Sequence, residues 1–195
     1  MQKVFTVLSR SLEQYGTASW SAINRGTVFK LVPRKKHWSI EVLHQFPLQG
    51  DDGQSPEAGV IIAPSGTLYG TTNAGGGTNN AGVVFQVVPN KGGGWTESVL
   101  YTFCENDHCS DGGTPLELVM DKAENLFGTT AYGGSGYGVV FKLASGVWTE
   151  NVLYSFTGGN DGSYPSSGVI RDEAGNLYGE TRAGGASGWG VVFQS

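Results

Sequence analysis

The chain has 195 residues, of which 38% are hydrophobic and 15% are charged, and its formal net charge is −5. This low charge excludes disorder of the polyelectrolyte type, and the acidic balance, with Arg34-Lys35-Lys36 as the single basic cluster, excludes a nucleic-acid-binding protein. The 32 glycines do not recur at every third position, which excludes collagen, and so many glycines predict numerous turns between short strands.

The N-terminal segment predicts neither export nor anchoring. Its apolar part, Val4 to Leu8, is shorter than the apolar core of a signal peptide, which usually has about 7–15 residues. No apolar run in the chain approaches the roughly 20 residues that span a bilayer. We therefore expect a soluble chain with no membrane span, no export signal and no anchor.

Four kinds of short segment recur along the chain in a fixed order. The first is an apolar run, found at Val7-Leu8, Val60-Ile61-Ile62, Leu118-Val119-Met120 and Val169-Ile170. The second is an aromatic residue followed by glycine, found at Tyr15-Gly16, Tyr69-Gly70, Phe127-Gly128 and Tyr178-Gly179. The third is Gly-x-Val-Phe, found at 26–29, 82–85, 138–141 and 190–193. The fourth opens with tryptophan and occupies 38–46, 95–103 and 148–156.

Each of these segments has the pattern of a short β-strand. The segment from Val139 to Leu143 is rich in β-branched and aromatic residues, and the segment that follows Trp148 alternates apolar and polar residues. The residues Ala174-Gly175-Asn176, between an apolar run and Tyr178, predict a tight hairpin. No stretch has the period and length of a helix. The pattern therefore predicts an all-β protein.

The repeats predict a β-propeller or an open arc of one. Complete units occupy 26–81, 82–137 and 138–189, with partial units at 1–25 and 190–195, all within a single repeat domain. Four strands in about 50 residues is the size of a propeller blade. The strand types add up to about four blades with the last incomplete. Two interpretations follow: a closed four-bladed ring with one three-stranded blade, or a piece of a larger propeller, which the missing strand favours.

The recurring apolar residues predict how neighbouring blades pack. The Val-Phe segments are the most apolar, so we expect them to form buried inner strands. We expect Tyr69, Phe127 and Tyr178 to pack between blades. The glycine after each of them indicates a close backbone approach or a positive φ.

The repeat also resembles a known family. The unit that runs from Trp148 through Asp161-Gly162, Pro165 and Leu177-Tyr178-Gly179 to Val191-Val192-Phe193 resembles the bacterial GloVer tandem repeat, and the likeness covers nearly the whole chain. The resemblance implies a propeller-like repeat in a secreted or surface protein that carries one of several C-terminal anchors. It implies no enzymatic activity and no catalytic residue. We therefore expect an extracellular or cell-surface location.

Three aspartates recur four residues before a proline and are candidate binding residues. They are Asp52, Asp111 and Asp161, each followed by glycine. A ring of carboxylates could bind Ca²⁺ or a polar ligand. The favoured interpretation is structural, because a turn in which aspartate bonds its own backbone two residues on must recur in every copy. No known calcium-loop spacing is present, so we expect no cofactor and no metal.

Cys104, His108 and Cys109 lie in the longest Asp-Gly loop, and no other copy contains cysteine. Three ligands in six residues could begin a zinc site, yet structural zinc takes four, and no nearby fourth ligand is evident. A disulfide between Cys104 and Cys109 is the favoured interpretation, followed by two free thiols and then by a metal site.

Two tryptophans are further candidates for ligand contact. Trp20 and Trp189 lie in Gly/Ser loops between the second and third strands of a unit, where an exposed aromatic ring could stack on a ligand. A packing role is an equal alternative. The recurring Trp38, Trp95 and Trp148 are typical of packing between blades.

We expect a non-enzymatic binding module or cell-surface scaffold whose ligand is an unidentified polysaccharide or protein, because every recurring residue has a structural explanation. One alternative is a carbohydrate-active or lactone-active propeller enzyme, which would use unrepeated acids (Glu105, Asp107, Glu117, Glu180). The other is a structural fragment that self-associates through open repeat ends. Glu97 and Glu150 recur two residues after tryptophan and are interpreted as strand-surface residues.

Overall fold

The structure is a computed structural model that describes residues 4–8, 13–19, 25–48, 51–105 and 107–195. These residues form four antiparallel sheets in series along the chain, which confirms the all-β prediction. Sheet 1 contains β1 (Val4–Leu8), β2 (Gln14–Ala18), β3 (Thr27–Pro33) and β4 (Trp38–Gln45). Sheet 2 contains β6 (Ile61–Ile62), β7 (Leu68–Thr72), β9 (Val83–Pro89) and β10 (Trp95–Thr102), and β5 (Gly53–Gln54) pairs with β8 (Ala74–Gly75) beside it.

Sheets 3 and 4 repeat this plan. Sheet 3 contains β11 (Gly113–Met120), β12 (Leu126–Tyr132), β13 (Val139–Leu143) and β14 (Glu150–Ser155). In sheet 4, β15 (Ser163–Pro165) and β16 (Ile170–Arg171) both pair with β17 (Leu177–Ala183), which also pairs with β18 (Val192–Gln194). The one helical element in the described part is the 3₁₀ turn Asp107–Cys109. Within the described residues, no helix has the length and apolar character needed to cross a membrane.

The sheets have a different phase from the sequence units. Sheets 1 to 3 begin at the apolar run and end at the tryptophan strand, whereas the sequence units begin at the Gly-x-Val-Phe segment. A tandem repeat has no unique starting point in its sequence. The hydrogen bonds between strands define where each structural unit begins. The tight hairpin predicted around Gly175 joins β16 to β17, with the Asp172 N–H donating to the Asn176 carbonyl at 3.0 Å.

The Val-Phe strands supply the core of sheets 1 to 3, as predicted, whereas in β18 of sheet 4 Val192 is 83% exposed. Val84, Phe85, Val140 and Phe141 are fully buried in β9 and β13. A Cβ on Gly70 of the adjacent β7 would lie 2.5 Å from Phe85 Cζ, which is far inside van der Waals contact. The aromatic ring therefore lies directly over this glycine, so a close approach rather than a positive φ requires it.

Aromatic side chains pack each sheet against the next. Tyr15 of sheet 1 meets Trp95 of sheet 2 with ring centroids 6.0 Å apart, and Tyr69 meets Trp148 of sheet 3 at 5.5 Å. Phe127 lies in the buried cluster that contains residues of sheets 3 and 4. The prediction that the residue before the repeated glycine packs between blades is confirmed at Tyr69 and Phe127. Each such aromatic pair contributes about 0.5–1.5 kcal/mol beyond its buried area.

A threonine of each earlier sheet also donates a hydrogen bond to the backbone of the following sheet. Thr17 donates to the Ala58 carbonyl at 2.6 Å, and Thr71 donates to the Leu116 carbonyl at 2.9 Å. Thr129 donates to the carbonyl of Ser167 at 2.7 Å. We call these three bonds the threonine clasps. They tie β2 to the segment before β6, β7 to β11, and β12 to the segment between β15 and β16.

Candidate functional site

A cavity of about 250 Å³ opens between β11, the segment that precedes β6 and the segment between β15 and β16. We call it the inner cavity. Its lining consists of Glu57, Ala58, Asn73, Leu116, Glu117, Ser166 and Ser167. The carbonyls of Ala58, Leu116 and Ser167 are the acceptors of the threonine clasps, so the clasps hold the wall of the cavity in place.

The side chains of the inner cavity are mostly polar and do not repeat along the chain. Glu117 is exposed, and its position is occupied by glycine in sheets 2 and 4. A Cβ on Gly168 would lie 2.5 Å from the Glu117 carbonyl oxygen, so β11 touches the segment between β15 and β16 here. Ser166 donates to Glu180 Oε1 at 3.3 Å, which places a further carboxylate at the edge of the cavity. The arrangement offers carboxylate, amide and hydroxyl groups to one polar ligand.

The three recurring aspartates lie elsewhere, in the loops that lead from one sheet to the next. Asp52 Oδ1 accepts a hydrogen bond from the Gly53 N–H at 2.7 Å, and its Oδ2 lies 3.0 Å from His44 Nε2 at the end of β4. Both side chains are 20% exposed. The aspartate and the histidine are therefore accessible to solvent and to small ions.

Asp111 occupies the same place between sheets 2 and 3 and is 3% exposed. Its Oδ2 accepts hydrogen bonds from the Tyr101 hydroxyl at 2.8 Å and from the Cys104 N–H at 2.9 Å. Tyr101 stands at the repeat position of His44, since both residues oppose the second residue of the Val-Val or Thr-Val pair in the neighbouring strand. Burial, together with the bond to Asp111, raises the pKa of the Tyr101 phenol.

Asp161 follows sheet 3, and its hydrogen bonds are exposed to solvent. Its Oδ2 accepts from the Thr157 N–H at 2.7 Å and from the Tyr154 hydroxyl at 3.1 Å. The bond from the Thr157 hydroxyl to Oδ1 lowers the pKa of Asp161. The expectation that each aspartate bonds its backbone two residues on is wrong in detail, because Asp111 and Asp161 bond N–H groups that precede them and so close the preceding loop.

Glu97 and Glu150 are not surface residues of their strands, contrary to the interpretation of the sequence. Each faces the preceding sheet, and its Oε1 is buried with no hydrogen-bond partner. Burial raises the pKa of Glu97 to about 7, and the negative charge of Asp52 adds to the rise. Burial likewise raises the pKa of Glu150 to about 7, with Asp111 as the second cause. The alternation of apolar and polar residues along a strand predicts which face of the sheet a residue lies on. It does not predict whether another sheet covers that face.

The junction between sheets 1 and 2 and the junction between sheets 2 and 3 thus each contain a group of three polar side chains. We call His44, Asp52 and Glu97 the first junction group, and Tyr101, Asp111 and Glu150 the second. In the first group, a ligand atom of each residue lies within 4.8 Å of the other two. In the second, the Oδ1 of Asp111 is also buried without a partner.

Cys104 and Cys109 are joined by a disulfide that closes the loop before Asp111. The disulfide holds the Cys104 N–H against the Asp111 carboxylate. His108 lies in the 3₁₀ turn of the same loop. The structure therefore uses the two cysteines to shape the second junction.

The two tryptophan candidates have different outcomes. Trp189 is 88% exposed, in the loop between β17 and β18, and its backbone forms a bridge to Gly184. The structure brings no other candidate residue of the sequence analysis against it in the contacts described. Trp20 lies outside the described residues.

Two of the four unrepeated acids lie at the inner cavity. Glu117 lines the inner cavity and Glu180 contacts its edge through Ser166. Glu105 is exposed in the disulfide-containing loop, beside Gly77, and the side chain of Asp107 lies outside the described part. Sequence reasoning missed Asn73 and Ser166 because neither belongs to a recurring pattern.

The sequence matches the model of one known repeat family. The model of the Gloeobacter/Verrucomicrobia repeat matches residues 6–195. The chain belongs to the Gloeobacter/Verrucomicrobia (GloVer) repeat family. The GloVer resemblance inferred from the sequence is therefore confirmed over nearly its whole length. No curated protein matches the sequence.

Two solved propellers share the GloVer fold seen here. A gluconolactonase from Xanthomonas campestris superposes with a TM-score of 0.57 at 16% identity, over 96% of this chain and 57% of its own. A protein from Bacteroides uniformis, proposed to be a 6-phosphogluconolactonase, superposes with a TM-score of 0.56 at 13% identity, over 93% of this chain and 48% of its own. The GloVer chain spans about half the length of these structures. At such identity the likeness shows a propeller-like fold.

Proposed function

We propose that this chain is a non-catalytic binding module that takes a polar, hydroxyl-rich ligand such as a polysaccharide at the inner cavity. The observation that carries the proposal is the convergence of unrepeated polar side chains on that cavity. A location outside the cell or at its surface is part of the proposal and is supported by membership of the GloVer family.

The hydrogen bonds of the recurring polar residues support a structural role for these residues. The threonines are used in the clasps, and the aspartates close the loops between sheets through hydrogen bonds. A group that must hold two sheets together in every repeat is constrained by that task. Ligand recognition is therefore assigned to residues that differ between repeats.

The chemistry of the inner cavity suits hydroxyl groups. Asn73 offers both a donor and acceptors, Glu117 offers acceptors, and Ser166 offers a hydroxyl that already bonds Glu180. The volume of about 250 Å³ is slightly below the roughly 300–1,000 Å³ of pockets for drug-sized ligands. It suits one monosaccharide unit of a longer chain that continues across the surface.

Calorimetric titration of the purified chain with a panel of neutral oligosaccharides tests the proposal. We expect one oligosaccharide to bind, and Asn73→Ala or Glu117→Gln to weaken that binding at least tenfold. Glu173→Gln is the matched control, since Glu173 lines a separate cavity with Lys122 and Arg171. Absence of binding by every oligosaccharide, or equal binding by all three variants, would overturn the proposal.

A second candidate is an enzyme that acts on a lactone or a carbohydrate. It is favoured by the presence of two carboxylates, Glu57 and Glu117, in the lining of one cavity and by the fold shared with lactonase propellers. Hydrolysis of glucono-1,5-lactone, followed by base uptake at constant pH, separates the candidates. Turnover that is lost in Glu117→Gln would replace the binding proposal, and binding without turnover would remove the enzyme.

A further inference from the structure

The first junction group brings together an imidazole and two carboxylates from three separate parts of the chain. His44 lies at the end of β4 in sheet 1, Asp52 lies in the connecting loop, and Glu97 lies in β10 of sheet 2. Their ligand atoms lie within 4.8 Å of one another. Among the described residues, no other group of three His, Cys, Asp or Glu side chains meets this condition.

The neighbours of the group hold its members in place. The His44 ring packs edge-on against Phe46, with centroids 4.7 Å apart, and the Gly53 N–H fixes one oxygen of Asp52. Second contacts of this kind orient the ligands of metal sites. The approach of His44 and Asp52 to 3.0 Å is close to the separation of two donor atoms on one tetrahedral metal ion.

A separate observation points to a missing ligand. Glu97 Oε1 is buried and has no hydrogen-bond partner, and a carboxylate oxygen of Glu97 lies within 4.8 Å of ligand atoms of His44 and Asp52. A buried carboxylate oxygen without a partner has lost its hydration and gained no hydrogen bond in return, which destabilises the folded chain. A cation placed between the three side chains would supply the partner that this oxygen lacks.

We propose that His44, Asp52 and Glu97 bind a divalent transition-metal ion, of which Zn²⁺ is the best fit, and that the ion links sheet 1 to sheet 2. The sequence interpretation assigned no metal ligand, because these residues are far apart in sequence. The 20% exposure of His44 and Asp52 leaves a path for the ion and room for a water molecule as the fourth ligand.

The donor set selects the class of metal. Ca²⁺ takes six to eight oxygen ligands and Mg²⁺ retains most of its water, whereas an imidazole nitrogen suits Zn²⁺ and its neighbours. Three protein ligands and one water form a common zinc coordination. Imidazole and carboxylate without thiolate also suit Co²⁺, which is a visible probe of the same geometry.

The second junction group shows what one residue contributes. Tyr101 replaces the imidazole, and its hydroxyl donates to Asp111 instead of leaving a nitrogen lone pair for a metal. The backbone arrangement is shared, and the carboxylates Asp111 and Glu150 are both retained. The proposed site therefore depends on His44 in particular.

Titration of the full chain with Zn²⁺ after treatment with EDTA tests this proposal. We expect one ion to bind per chain, and we expect Co²⁺ to give visible absorption bands of tetrahedral intensity. His44→Tyr copies the residue of the second junction and should reduce Zn²⁺ affinity at least 100-fold with an unchanged circular dichroism spectrum. Glu97→Gln should reduce the affinity at least tenfold.

Three controls make the result decisive. Glu150→Gln removes the equivalent carboxylate of the second junction, and His37→Ala and His108→Ala remove the other two histidines of the chain. All three should bind Zn²⁺ as the unmodified chain does. The proposal is overturned by absence of Zn²⁺ binding, by full binding in His44→Tyr, or by loss of binding in either histidine control. Ca²⁺ that binds as tightly as Zn²⁺ and is retained by His44→Tyr would also overturn it.

Discussion

The first and second junctions occupy the same place in consecutive repeats and differ in burial and in one side chain. At the first junction, Asp52 is accessible and faces an imidazole. At the second, Asp111 is buried, faces a phenol, and lies under a longer loop closed by a disulfide. A single repeat pattern can therefore build a solvent-accessible polar group at one junction and a sealed structural one at the next.

Removal of the aspartate should separate the two junctions most strongly. Asp111→Ala leaves the buried Cys104 N–H and the hydroxyl of the half-buried Tyr101 without their acceptor, and we expect a loss of about 3 kcal/mol in the free energy of unfolding. Asp52→Ala removes an accessible carboxylate and should cost about 1 kcal/mol. Urea unfolding of both variants in the presence of EDTA measures the difference. Equal losses would show that burial does not distinguish the junctions.

The pH dependence of stability tests the second junction alone. The pKa of Glu150 is raised from 4.5 to about 7 in the folded chain, mainly by burial. Its contribution to stability is therefore fully present below pH 4.5 and is lost as the pH rises through 7. Glu150→Gln imitates the protonated form and removes a negative charge from the neighbourhood of Asp111.

We expect Glu150→Gln to be more stable than the unmodified chain above pH 7. Because the side chain is half-buried, solvent screening reduces the effect to about 1 kcal/mol, which corresponds to a rise in Tm of about 2–4 °C. The difference should vanish near pH 4. Thermal unfolding from pH 4 to pH 8 measures it, and a constant difference across this range would contradict the prediction.

Transfer of the imidazole should have the smallest effect on stability. Tyr101→His gives the second junction the donor set of the first, and a histidine can still donate to Asp111. We expect the free energy of unfolding without metal to change by about 1 kcal/mol or less, and we expect Zn²⁺ stoichiometry to rise from one to two. An unchanged stoichiometry with retained fold would show that the deeper burial of Asp111 excludes the ion.

The architecture could be predicted from the sequence because the same residues recur in the same order. The Val-Phe strands, the glycine beneath Phe85 and the pairing of Tyr69 with a residue of the next sheet all follow from recurrence, apolar character and alternation. Recurrence makes each copy a check on the others. Self-association through repeat ends, by contrast, stays a prediction.

The polar groups between sheets could not be predicted, because their partners come from different repeats. Glu97 has the alternation of a surface residue, and nothing in its own strand indicates that His44 and Asp52 cover it. The sequence did contain one signal that this position differs from an ordinary surface position. The residue two after the tryptophan is glutamate in two copies, but in the first copy it is the apolar Ile40. The inner cavity left no such signal, since Asn73 and Ser166 vary between repeats.

The threonine clasps have a consequence for how such chains arise. The acceptor in each clasp is a backbone carbonyl, which every amino acid possesses. The clasp therefore requires no particular side chain in the repeat that follows. A duplicated or recombined gene segment would therefore meet its new neighbour with a usable acceptor already in place. The clasp makes the repeats interchangeable at their boundaries, while the cavity and junction residues remain open to divergence.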